Sequence, residues 1–104
     1  MTHNLPQPVA RYFAASSPQE IADCFTDDAE VFDERRTHHG RREILQWREE
    51  VAKVSFDQEI ISVRSDGATY LVKCQVSGAF PGSPIELDHS FVLAGDKIGS
   101  LRIE

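Results

Sequence analysis

From Arg41 to Arg64 the chain reads RREILQWREEVAKVSFDQEIISVR, and the spacing of its apolar residues changes partway along. Ile44, Trp47, Arg48 and Val51 recur at helical spacing, which predicts a helix starting near Arg41 with one face turned inward. Beyond Val51 the period shortens to two. That pattern predicts strands over Phe56 to Arg64, Thr69 to Phe80, Ile85 to Leu93 and Lys97 to Ile103. Asp66-Gly67, Pro81-Gly82-Ser83 and Ala94-Gly95-Asp96 fall between these runs, where hairpin turns belong.

Upstream the chain reads as helical. Val9, Tyr12, Phe13 and Ser16 are spaced for a first helix between Pro6 and Ser16. Ser17-Pro18-Gln19-Glu20 has the form of a capping box: Ser17 caps, Pro18 takes the first helical position, and Glu20 reaches back to the free amide. A short second helix then carries Ile21, Cys24 and Phe25 inward and stops near Thr26-Asp27-Asp28. Glu30 to Glu34 is a short strand with Val31 and Asp33 on one face and Phe32 on the other, followed by a polar loop through His38-His39-Gly40. Three helical segments followed by an antiparallel meander make an α+β pattern. One sheet face must be buried, so the helices are expected to lie across it and leave a cavity between the layers.

Composition limits the function. With 104 residues the expectation is one domain spanning 1–104. Eleven basic against 17 acidic residues give a net charge of −6, and Arg35-Arg36 and Arg41-Arg42 are too isolated to track a phosphate backbone. No nucleic-acid partner is expected. No apolar run approaches the roughly 20 residues a membrane span needs. Residues 1–6, with His3 among them, lack the basic and apolar regions of a signal peptide, so no membrane partner is expected either. Cys24 and Cys74, the only cysteines, sit in apolar patterns and read as buried free thiols, which suits a cytoplasmic location.

Several stretches resemble one known superfamily. Pro8-Val9-Ala10-Arg11-Tyr12-Phe13-Ala14-Ala15 is similar to the opening helix of SnoaL-like proteins, and Phe25-Thr26-Asp27-Asp28-Ala29-Glu30-Val31 to the lead into their first strand. Gly40, Ile44 and Trp47 resemble their next helix start, and Ser77 to Pro84 a hairpin of one branch. On these matches the chain resembles the nuclear transport factor 2-like superfamily, which includes ketosteroid isomerases, polyketide cyclases, dehydratases, epoxide hydrolases and non-catalytic modules. The resemblance implies a cone-shaped cystatin-like roll: three N-terminal helices packed on a curved antiparallel sheet around an internal pocket. It also implies a homodimer, for which Leu71, Lys73, Gln75 and Ser77 would supply a polar outer face.

Fold alone does not assign chemistry, so the side chains must. Asp33 shares a strand face with Val31 and matches the position of the general base in the isomerases; burial beside aromatic rings would raise its pKa and make it a better base. The competing reading is a solvated carboxylate, or one paired with Arg35 or Arg36. Tyr12 matches the tyrosine that donates to the developing oxyanion, although Phe13 competes for the inward position. Asp88-His89 resembles the isomerases' acidic donor pair, yet Ile85, Leu87, His89, Phe91 and Leu93 share one face, so alternation turns His89 inward and Asp88 outward. His89 reads either as an acid–base partner of Asp33 or as a core histidine with one hydrogen bond. Phe13, Phe25, Trp47 and Phe91 are the expected ligand-binding wall. His38 and His39 would point to opposite strand faces, so no metal site is expected, and no cofactor.

The expectation is therefore an isomerase, cyclase or dehydratase moving protons on a small apolar carbonyl compound. The alternative is a non-catalytic ligand-binding or dimerisation module. A protein-interaction domain, as in nuclear transport, is a more remote third.

Overall fold

The computed structural model describes residues 5–104; His3 and the terminal segment before Leu5 lie outside them. Two short helices come first, α1 (Gln7–Ala14) and α2 (Pro18–Ala22). A hairpin follows, β1 (Phe25–Asp33) and β2 (Arg36–His39), and then α3 (Gly40–Val51). Four strands complete the order: β3 (Phe56–Asp66), β4 (Thr69–Gly78), β5 (Ile85–Ala94) and β6 (Lys97–Ile103). All six form one curved sheet in the order β2-β1-β6-β5-β4-β3.

The meander from β3 to β6 is antiparallel throughout, as the period-two pattern implies. The first half departs from expectation in three ways. β1 begins at Phe25, so Thr26-Asp27-Asp28 lies inside a strand, where the register slips between Phe25 and Glu30. The Asp27 carboxylate meets Arg41 at 3.1 Å, and the Arg41 Nε–H donates to the Phe25 carbonyl at 2.9 Å, which ties this irregular stretch to α3. Second, the expected loop through His38-His39 is strand β2, with Asp33 facing Arg36 across a two-residue turn. Glu34 and Arg35 adopt φ of 52° and 66° to make it, a left-handed conformation usually left to glycine and asparagine. Third, β1 runs parallel to β6, so the sheet is mixed and α3 enters only after two strands.

α2 is capped nearly as the sequence implies. The Ser17 hydroxyl accepts from the Glu20 amide at 3.2 Å. The Glu20 carboxylate, in turn, accepts from the Ser16 hydroxyl at 2.7 Å and the Ser17 hydroxyl at 3.3 Å. α3 packs on β1, β2 and α2, and α1 on α2 and β6, so the helices gather over one half of the sheet. Beneath them Val9, Phe25, Val31, Ile44, Val72, Cys74, Phe91, Ile98 and Leu101 are shut away from water. At about 1.5–3 kcal/mol for each large apolar side chain, this layer outweighs any single cap or surface ion pair. Cys24 and Cys74 are buried free thiols, and burial pushes the Cys74 thiol up to about 11. Among the described residues no helix is long and apolar enough to cross a membrane.

Candidate functional site

An open cavity of about 1350 Å³ lies between α3 and all six strands of the sheet. Its wall includes Tyr12 of α1, Asp33 at the end of β1, Trp47 and Arg48 of α3, and His89 of β5. Four elements thus bring these side chains to one hollow, and Gln58 of a fifth, β3, adds a neutral polar group. Val76, Leu87 and Ile103 supply apolar surface.

Asp33 is half-buried, and the Trp47 indole N–H donates to its Oδ2 at 3.0 Å. Neither Arg35 nor Arg36 forms an ion pair with it, although Arg36 lies directly across the β1–β2 hairpin. Tyr12 is 2% exposed, and Arg48 Nη1 donates to its hydroxyl at 3.4 Å. Burial pushes the phenol up to about 12, against a smaller opposing pull from Arg48, so at neutral pH it keeps its proton. The oxygen accepts from Arg48, which leaves its own O–H to donate elsewhere. The Arg48 guanidinium also lies 5.0 Å from the centre of the Trp47 ring and 5.8 Å from that of Tyr12.

His89 is 3% exposed and stacks beside Phe91, with ring centres 6.2 Å apart, while Phe13 packs edge-on at 5.7 Å. Burial pushes its imidazole below the ordinary value; the backbone at Leu87 and the Asp33 carboxylate pull weakly the other way. Its Nδ1 is buried with no hydrogen-bond partner. His89 is therefore a neutral ring at physiological pH. Asp88 lies on the opposite sheet face beside Lys73 and Arg64, as strand alternation requires.

The aromatic wall is built from other rings than expected, with Phe32, Phe56 and Phe80 on it. Trp47 lines the cavity, but Phe13, Phe25 and Phe91 do not. Phe25 and Phe91 are fully buried against Tyr12, at ring-centre distances of 6.3 and 5.2 Å, and Phe13 meets the same ring at 5.1 Å. They form the packed layer behind the wall. Arg48 was not expected at the site, although the sequence carries a signal for it: an arginine in the inward stripe of α3. His38 also reaches the cavity, 5.9 Å from the Trp47 ring. Among the described residues no three of His, Cys, Asp or Glu converge closely enough to hold a metal ion.

Solved structures share this fold over nearly the whole chain. A candidate polyketide cyclase from Sinorhizobium meliloti is 38% identical, with 96% of this chain and 95% of that one covered and a TM-score of 0.91. The chain belongs to the SnoaL-like branch of the nuclear transport factor 2-like superfamily. The family fold recurs at lower identity. An epoxide hydrolase/cyclase-like enzyme of pyran ring formation in the polyether salinomycin is 21% identical, covering 93% of this chain and 86% of its own at a TM-score of 0.80. A candidate SnoaL-like polyketide cyclase from Jannaschia is 15% identical over 100% and 90% of the two chains, with a TM-score of 0.77. No family model matches the sequence, and no curated protein matches it.

Proposed function

We propose that this SnoaL-like protein is a cofactor-free enzyme that moves a proton on a small, largely apolar carbonyl compound, in an isomerisation, cyclisation or dehydration. One observation carries the reading: a carboxylate, a protonated phenol and a neutral imidazole, drawn from three separate elements, line one hollow. Asp33, oriented by Trp47, takes a proton from the carbon beside the carbonyl. The electron pair moves onto the carbonyl oxygen, where the Tyr12 O–H meets the new charge. The proton then goes from Asp33 to a second carbon, or to a leaving hydroxyl in a dehydration, with His89, able to donate at one nitrogen and accept at the other, as the relay. Likeness to a candidate polyketide cyclase supports this class of chemistry.

The test is deuterium uptake from solvent into a panel of cyclic ketones and 1,3-dicarbonyl compounds, followed by NMR. Asp33→Asn should slow exchange by about 10²–10⁴-fold with the fold intact. Undiminished exchange would remove Asp33 as the base.

A second reading, a ligand-binding module without turnover, draws support from His89, which is walled in by Phe13 and Phe91 like a core histidine. It predicts binding without exchange, indifferent to the charge at residue 33.

A further inference from the structure

The proton-transfer scheme leaves the charge of Arg48 unused. A charged side chain withdrawn from water ordinarily has a counter-charge. Arg48 is half-buried in α3 and lines the cavity, its guanidinium beside the Trp47 and Tyr12 rings. Among the described residues no carboxylate lies within ion-pair reach of it. Its single protein hydrogen bond there is the long one to the Tyr12 hydroxyl, made through Nη1. A guanidinium offers five donors in a planar fork, so most of this fork is unused.

The neighbours point the same way. Tyr12 accepts from Arg48 and retains its own proton, so a carbonyl oxygen met by Tyr12 would lie beside the free donors of Arg48. The other cavity cations are occupied or exposed: Arg102 pairs with Glu104 and lies over the Phe32 ring, while Arg35 and Arg36 sit at the turn. Asp33 does not neutralise Arg48, being held instead by the Trp47 indole. Positive and negative groups therefore stand apart in one hollow, and a ligand bearing both an acidic group and an acidic carbon–hydrogen bond would bridge them.

We propose that Arg48 binds a carboxylate of the ligand, next to the carbonyl that Tyr12 meets, so that the cavity takes small oxo acids with an apolar body in preference to neutral ketones. This rests on the proton-transfer reading for the carbonyl and not for the anion site itself. A carboxylate matches the guanidinium fork through two parallel hydrogen bonds, which an amide of the same shape cannot make.

The experiment compares 2-naphthoate with 2-naphthamide, with binding read from the indole N–H resonance of Trp47, the only tryptophan of the chain. Wild-type protein should bind the carboxylate at least tenfold more tightly. Arg48→Gln should bring the two within about twofold, and Arg48→Lys, which keeps the charge and loses the fork, should fall between. An amide bound as tightly as the acid overturns the proposal, as does a preference that survives Arg48→Gln, or no binding of either at millimolar concentration. If Arg48→Gln does not fold, the wild-type ratio and Arg48→Lys decide it. The two readings fail separately: deuterium exchange indifferent to Asp33→Asn, with the naphthoate preference intact, removes the base and leaves the anion site.

Discussion

At the end of β1 the Trp47 indole holds Oδ2 of Asp33, while Oδ1 has no hydrogen-bond partner among the described residues. One donor thus fixes the carboxylate without saturating it. Trp47→Phe keeps most of the ring and loses the N–H, so turnover should fall about tenfold and stability by about 1–3 kcal/mol, read from initial rates and urea denaturation. Unchanged rates would show that orientation of Asp33 does not depend on the indole. His89 sets a pH dependence. Its folded pKa lies below the unfolded value near 6.5, so between the two the unfolded chain binds the extra proton. Stability should therefore hold above pH 6.5 and decline as the pH falls through that window, by at most about 1.4 kcal/mol per unit. His89→Asn should flatten this slope in denaturation curves taken from pH 7.5 to 5. The placement of Tyr12, Asp33 and His89 was legible because each belongs to a residue pattern, a helical stripe or a strand parity, that aims a side chain. Phe13, Phe25 and Phe91 were harder, since an apolar ring in the core and one on a cavity wall obey the same periodicity.

Elements were legible in proportion to how regular they are. The strand pattern of 97–103 reappears as β6, and β3 to β5 differ only at their ends. β2 was hidden because its turn uses Glu34 and Arg35 at positive φ, where sequence signals favour asparagine and glycine. The early start of β1 was hidden for a similar reason, since Thr26-Asp27-Asp28 carries turn chemistry that the Arg41 contacts override. Helix α2, only five residues long, has little intrinsic stability and depends on its cap and its packing. Ser17→Ala should cost about 1 kcal/mol by thermal denaturation. Ile44→Ala, at the fully buried centre of the α3 face, should cost about 2–5 kcal/mol. Equal losses for the two would mean that α2 is anchored as firmly as the core.

At the scale of the whole molecule the helices cover the β1–β2 side, and the sheet face opposite them carries Asp88, Lys73 and Arg64 together with exposed Val92. We propose that two copies meet through this face as a homodimer. Light scattering should give a mass that rises to twice the chain mass with concentration, and a monomer persisting at high micromolar concentration would rule the dimer out. Lys73→Glu would place like charges opposite Asp88 across β4 and β5 and should lower stability by about 0.2–1 kcal/mol, read by urea denaturation.

The position of β6 between β1 and β5 has a consequence for biosynthesis. During translation β1 and β2 leave the ribosome well before the strand that joins them to the rest, with α3 and three further strands made in between. The early hairpin therefore waits with an open edge, which is the kind of surface that chaperones shield and that aggregates when they do not. The two halves of the sheet can close together only once β6 has emerged, so the cavity wall too is assembled at that step.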